Sequence, residues 1–112
     1  MLIVSPKHLA EITAKYPDAK DEIEAWTTIA EGARWHHFQE VQAVIPDADN
    51  VDGYVIFDIR HNRYRLITVM HWAETTKKKQ TMGHVHIRSF LTHKQYDNPD
   101  NWDKKYGRKK KK

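Results

Sequence analysis

Apolar residues change their spacing once along this chain, and the change divides it into a helical half and a strand half. Leu2-Ile3-Val4 is a short apolar run read as a strand, and Ser5-Pro6 after it fits an N-cap followed by proline at the first helical position. Leu9, Ile12 and Tyr16 then recur at helical spacing until Pro17 ends the run. A second helix is predicted from about Asp18 or Asp21 to Gly32, with Ile23, Trp26, Ile29 and Ala30 as its apolar stripe. Trp35, Phe38, Val41 and Val44-Ile45 predict an irregular or short helical segment that closes over the core and stops at Pro46. Residues 47–53 are turn-rich, and beyond them the period falls to two. Residues 54–59 read as a strand, His61-Asn62 as a tight connection, and residues 63–72 as the next strand. A longer loop around 73–83 leads to a strand over 84–91, and no internal repeat is present. The sum is an α+β fold: a short N-terminal strand and two helices packed on one face of an antiparallel sheet.

Alternation assigns faces within that sheet. Arg63, Arg65, Ile67, Val69 and His71 fall on one side of their strand; Tyr64, Leu66, Thr68, Met70 and Trp72 fall on the other. Arg65 stands at the start of this strand and Arg88 in the middle of the next, so a hairpin that places both on one face brings them close. Past the end of that next strand, Thr92-His93-Lys94-Gln95-Tyr96-Asp97 sets an imidazole, an ammonium and a phenol within a few positions. Each arginine alone is explained by an ion pair with Asp58, Glu40 or Glu74. Two of them beside His93, Lys94 and Tyr96 make a patch better suited to a phosphodiester than to an apolar substrate.

Composition bounds the rest. A chain of 112 residues holds one domain with a modest core. The absence of cysteine excludes disulfides and thiolate metal sites, and fits a reducing cytoplasm. No apolar run approaches membrane-spanning length, and the apolar start is too short for a signal peptide, so a soluble cytoplasmic protein is expected. The net charge of +4 is unevenly spread. Residues 104–112 carry seven basic groups and no acid, whereas residues 1–103 hold 12 basic against 15 acidic groups, a net of −3. The expectation is a single domain over 1–103 and a disordered basic tail over 104–112. Such a tail either solubilises the chain or gives sequence-independent, salt-sensitive affinity for nucleic acid through residues such as Lys104, Lys105 and Arg108.

Taken together, several short elements resemble a known family. They are Tyr16-Pro17-Asp18-Ala19, Trp26, Trp35, Glu40-Val41 with Ile45-Pro46-Asp47-Ala48-Asp49, Phe57-Asp58-Ile59 followed by Asn62-Arg63-Tyr64-Arg65-Leu66-Ile67, then Ile87-Arg88 and the Thr92–Asp97 motif. In this order, over about residues 2–102, they resemble the HigB-type toxins of bacterial toxin–antitoxin pairs, within the RelE-like group of messenger-RNA endoribonucleases. The loop 73–83 looks longer than usual for the family, and His61 stands where glycine is common. The resemblance implies a metal-independent, cofactor-free cut in messenger RNA on the ribosome, inhibition of translation, and a cognate helix-turn-helix antitoxin (HigA-like) as partner. RNA supplies its own 2′-hydroxyl nucleophile, so the protein must move protons and stabilise charge on the phosphate. On that chemistry His93 is the proton-transfer residue, Arg65 and Arg88 hold the phosphate, and Tyr96 orients or donates a proton. Lys94 and Arg63 are RNA-backbone contacts.

Three other readings compete. His84 and His86 share a strand face and His71 can lie across the hairpin, a known zinc arrangement. With no carboxylate at an obvious spacing, the ordinary fate of these histidines is a polar sheet face, and no metal ligand is assigned. A non-catalytic nucleic-acid-binding module would use the tail and the sheet arginines, with Tyr64 or Trp72 stacking on bases. A structural role through Trp26 and Trp35 is weaker, since both are better explained as core.

Overall fold

The two hydrophobic periods become two layers. β1 (Leu2–Val4) leads into α1 (Pro6–Lys15), a 3-10 turn (Pro17–Ala19), α2 (Lys20–Gly32) and α3 (Phe38–Val44). The alternating half supplies β2 (Asp49–Val51), β3 (Tyr54–Ile59), β4 (Tyr64–His71) and β5 (His84–Thr92), followed by the single turn α4 (His93–Tyr96). The computed structural model describes residues 1–4, 6–61 and 63–98. The expectations for Ser5, Asn62 and the basic tail, including Lys104, Lys105 and Arg108, lie outside the described residues, as does the boundary at residue 103.

The strands form one sheet in the order β1-β5-β4-β3-β2. β2 to β5 make the antiparallel meander, and β1 adds to β5 in parallel, so the sheet is mixed. The helices bury Leu9, Ile23, Trp26, Ala30 and Val41 against Val55, Phe57, Leu66, Val85 and Ile87 of the sheet. Each large side chain removed from water this way contributes about 1.5–3 kcal/mol. Trp26 meets Phe57 edge-on at 5.3 Å between ring centres. The Met1 ammonium, itself buried, donates to the carbonyl oxygens of Ala30 (2.9 Å) and Ala33, closing the C-terminal end of α2 where helix carbonyls lack partners.

Several positions differ from the reading of the sequence. Ile29 is 39% exposed, because at 100° per residue it falls beyond the Ile23–Trp26–Ala30 stripe. Trp35 is buried but precedes α3, where its carbonyl accepts the Ala73 amide at 2.8 Å. The turn-rich segment conceals a hairpin: Asp52 and Gly53 take φ of 52° and 88°, the hand a two-residue β-turn requires, and β2 pairs with β3 across them. In the β3–β4 connection Arg60 and His61 also have positive φ, 57° and 59°. A non-glycine residue there costs about 1–2 kcal/mol, so this turn carries strain at both Arg60 and His61.

Two further features shape the site. Ile67 pairs with Ser89 but Thr68 with Ile87, so Arg88 is the extra residue of a β-bulge. The core residues of β5 accordingly switch parity, from Val85 and Ile87 to Phe90. The face away from the helices is not simply polar: Tyr54, Ile56, Ile67, Val69 and Leu91 are buried there, with Val51 and Tyr96 packed against them. Charged and polar residues occupy its two ends. At one end Gly83 (φ 72°) brings the start of β5 so close to the end of β4 that a Cβ on it would lie 2.5 Å from the His71 carbonyl oxygen and 2.7 Å from the Ala73 nitrogen.

Candidate functional site

The site at the other end is built on a capped turn. Thr92 closes β5 in an extended conformation, and its Oγ1 accepts the Gln95 amide at 3.2 Å. The Gln95 side chain accepts the Thr92 amide in return at 3.0 Å. This capping box satisfies two donors of α4 and lets a helix of four residues form at a fixed angle to the strand. The Thr-His-x-x-Tyr-Asp motif therefore has a mechanical meaning. Thr92 caps, His93 opens the turn, and Tyr96, three residues on, falls on the same side.

Tyr96 lies against Arg65, whose guanidinium carbon is 5.4 Å from the ring centre. The hairpin register places Asp58 of β3 directly opposite Arg65, and Asp58 Oδ1 meets Arg65 Nε at 3.2 Å. Arg65 Nη1 also donates to the Tyr64 carbonyl at 3.3 Å, and its side chain is only 12% exposed. Burial holds the Asp58 carboxyl above its ordinary 3.8, with Asp47 and Asp49 adding to the rise and Arg65 opposing it. Burial also pushes the Tyr96 phenol above 10.0, helped by the Asp49 charge. His93 is half-exposed, with Nδ1 3.5 Å from an Asp97 carboxylate oxygen, and its charge reaches Asp58. The cluster thus offers a fixed cation, a phenol kept protonated at neutral pH and an accessible imidazole. Its rim is acidic, formed by Asp47, Asp49, Asp58 and Asp97.

The structure brings Arg65, His93 and Tyr96 together, with Lys94 on the same turn, and leaves Arg88 and Arg63 elsewhere. Arg88 does not face Arg65: the cross-strand partner of Arg65 is Leu91, and Arg88 sits at the bulge. There it lines a groove between α1 and β5 with His8, Glu11 and Lys15, and its charge acts on His86. Arg63 lies outside β4 and turns toward the helices, where Nη1 pairs with Asp18 at 3.1 Å. Lys94 is exposed on α4. Of the carboxylates weighed as partners for the arginines, Asp58 takes Arg65, whereas Glu40 accepts the His36 amide at 2.6 Å and Glu74 pairs with Lys79 at 3.2 Å. Tyr64, considered as a base-stacking residue, is 7% exposed and donates its hydroxyl to Asp18 at 2.9 Å, so its ring belongs to the core. Asp49, whose charge acts on Tyr96 and Asp58, is a site residue that the sequence does not single out, and Asp58 enters it only as an arginine partner. The signal for Asp58 was its place in the hairpin register opposite Arg65.

The opposite end of the same face carries the three histidines. His71 and His84 are cross-strand partners with rings stacked at 4.3 Å, and His86 meets each ring edge-on at 5.1 Å. Burial, and then the neighbouring histidines and Arg88, push the His86 imidazole below its ordinary 6.5. Among the described residues no helix is long and apolar enough to cross a membrane.

Comparison with known proteins agrees with this geometry. Residues 19–99 match the HigB toxin family, described as the RelE-like toxic component of a toxin-antitoxin system. The mRNA interferase toxin HigB of Escherichia coli K12 is 31% identical over 101 residues, covering 87% of this chain and 88% of the relative. The mRNA interferase HigB of Escherichia coli O157:H7 and that of Shigella flexneri are similar to the same extent and over the same span. The match takes in the strands that carry Asp58 and Arg65 as well as the capped turn that carries His93 and Tyr96, and the chain belongs to the RelE-like HigB toxin family.

Proposed function

We propose that this chain is a metal-independent endoribonuclease that cleaves messenger RNA on the ribosome in the cytoplasm, the toxic half of a pair whose other half is a helix-turn-helix, HigA-like antitoxin. The relatives' activity as mRNA interferases supports the substrate. The observation that carries the reading is the meeting of Arg65, Tyr96 and His93 at one capped turn. In the reaction the 2′-hydroxyl oxygen bonds to the adjacent phosphorus and the bond from phosphorus to the 5′-oxygen breaks. His93 takes the 2′-hydroxyl proton, and Tyr96, whose raised pKa keeps its proton at neutral pH, gives one to the departing oxygen. Arg65, steadied by Asp58 and the Tyr96 ring, stabilises the charge that builds on the phosphate. The products are a 2′,3′-cyclic phosphate and a 5′-hydroxyl.

The distribution of charge fits a division of labour. The acidic rim does not draw RNA in from a distance, so Lys94 and the basic tail, with Lys104, Lys105 and Arg108, supply attraction to the backbone. Arg88 is three residues from Leu91, the partner of Arg65, about 10 Å along the strand. It serves as a separate contact on the RNA rather than as the second arm of one clamp. Arg63 contributes less, since Asp18 already holds it.

The test is expression of the chain alone, which should arrest growth and shorten messenger RNA, against a folded Arg65→Ala protein, which should do neither. Protein stripped of metal with EDTA and then freed of the chelator should cut messenger RNA on magnesium-containing ribosomes and leave cyclic phosphate ends. Toxicity that persists in folded Arg65→Ala removes the assigned role of Arg65. Activity lost from protein that stays folded after chelation, and restored by zinc, removes the metal-independent mechanism. Messenger RNA bound but left uncut by the wild-type chain with translating ribosomes present replaces the nuclease with a binding module.

A further inference from the structure

We propose that His71, His84 and His86 form a binding site for a divalent transition-metal ion, zinc being the ion it suits best, which fastens the end of β4 to the start of β5. One ring nitrogen from each histidine lies within 4.8 Å of those of the other two. A tetrahedral zinc with Zn–N bonds of about 2.0–2.1 Å needs ligand nitrogens roughly 3.4 Å apart. Closing that difference takes side-chain rotation alone, and the rings have room for it: His71 is exposed, and His84 and His86 are half-exposed.

The chemistry of the donor set narrows the ion. Three neutral imidazoles without a carboxylate suit zinc, cobalt, nickel or copper, and not magnesium or calcium, which take oxygen ligands. Among the described residues none of the three imidazoles is ion-paired or hydrogen-bonded to another side chain. Glu74 lines the same recess as His71 and His84 but is held by Lys79. That pair is exposed and weak, so the fourth position is open to water or to the Glu74 carboxylate. Ring separations of 4.3–5.1 Å set the three imidazoles around one point that a single cation can share.

The backbone arranges this meeting. His84 and His86 project from the same side of β5 ahead of the bulge, and the register sets His71 opposite His84 and Val69 opposite His86. Gly83 allows the two strands to approach where the ligands begin. Arg65 is six residues from His71 along β4, about 20 Å away, so the ion would act on the fold and take no part in RNA cleavage. The inference is independent of the nuclease reading.

The full chain, freed of any affinity tag, is titrated with Co²⁺ and then Zn²⁺. The expected result is one ion per chain, visible absorption bands of tetrahedral Co²⁺ that zinc abolishes, and a zinc-dependent rise in melting temperature, since an ion that binds only the folded state stabilises it. His84→Ala should weaken zinc binding tenfold or more and remove the rise in melting temperature; His71→Ala, at an exposed position, should do the same. His36→Ala, which touches the separate pair with Glu40, should change neither. Absence of saturable binding, binding that survives His71→Ala, or binding lost in His36→Ala overturns the proposal.

Discussion

Replacing Gly83 by alanine tests how closely β4 and β5 are held, and its cost can be worked out before measurement. Gly83 has φ of 72°, a conformation that costs an L-residue about 1–2 kcal/mol. The added methyl would also lie 2.5 Å from the His71 carbonyl oxygen, 2.7 Å from the Ala73 nitrogen and 2.9 Å from Met1 Cε. Two of these are backbone atoms that cannot swing aside, so the strands must part, at about 1–3 kcal/mol for overpacking. The expected loss is about 2–5 kcal/mol, a large share of the ~5–15 kcal/mol a domain of this kind has in total. Gly32→Ala is the matched control. It ends α2, has no neighbour within 4 Å of the added carbon, and should gain up to about 1 kcal/mol from the better helix former. Urea unfolding of both variants reads the two changes as shifts of midpoint at constant slope. Gly83→Asn separates the causes, because asparagine tolerates positive φ but brings the same Cβ. If Gly83→Ala falls within about 0.5 kcal/mol of wild type, or moves in the same direction as Gly32→Ala, the close approach described here is wrong.

Three other outcomes are expected. Burial holds Asp58 above 3.8 in the fold, so between 3.8 and its raised value the folded state binds more protons than the unfolded, and stability falls as pH rises through that window. Asp58→Asn should remove this slope; denaturation curves at stepped pH with equal slopes in both proteins would contradict it. Thr92→Ala should cost about 1 kcal/mol at the cap and speed exchange of the Gln95 amide while lowering RNA cleavage, and unchanged exchange would show that the cap does not hold the turn. Deleting residues 104–112 should flatten the salt dependence of RNA binding, by up to about 0.7–0.9 in log affinity per log salt for each charge lost, with antitoxin affinity little changed; an unaltered slope or a lost complex would mean the tail has another role.

How far the sequence could be read depended on which signals were local. The helices and the three long strands were legible because Leu9-Ile12, Ile23-Trp26-Ala30 and the alternation after Tyr54 carry their own periods. β2 was missed because Asp49-Asn50-Val51 has almost no apolar content; the Asp-Gly turn beside it was the available cue. The joining of His93 with Tyr96 followed from the motif, and the three histidines from strand parity. The separation of Arg65 from Arg88 could not be read that way. It depends on a bulge at Arg88-Ser89, two polar residues that fit either parity and so leave no trace in the hydrophobic pattern. Asp58 was one of three carboxylates the sequence offered the arginines, and choosing it over Glu40 and Glu74 needed the register across β3 and β4, which a sequence states only once the turn length is known.

The bulge at Arg88 also makes β5 two short rulers joined out of phase. Even-numbered residues ahead of it and odd-numbered residues after it share the side away from the helices, so the histidine cluster and the surroundings of Arg65 are written in different reading frames of one strand. A substitution at either end leaves the other in place, because the extra residue pins the alignment against sliding. Removing the extra residue would bring the two rulers into phase: Ile87 opposite Thr68 and Ser89 opposite Ile67 would become consecutive pairs, and His84, His86, Phe90 and Leu91 would all keep their faces. The bulge is therefore a place where β5 can shorten by one residue without exchanging its two sides.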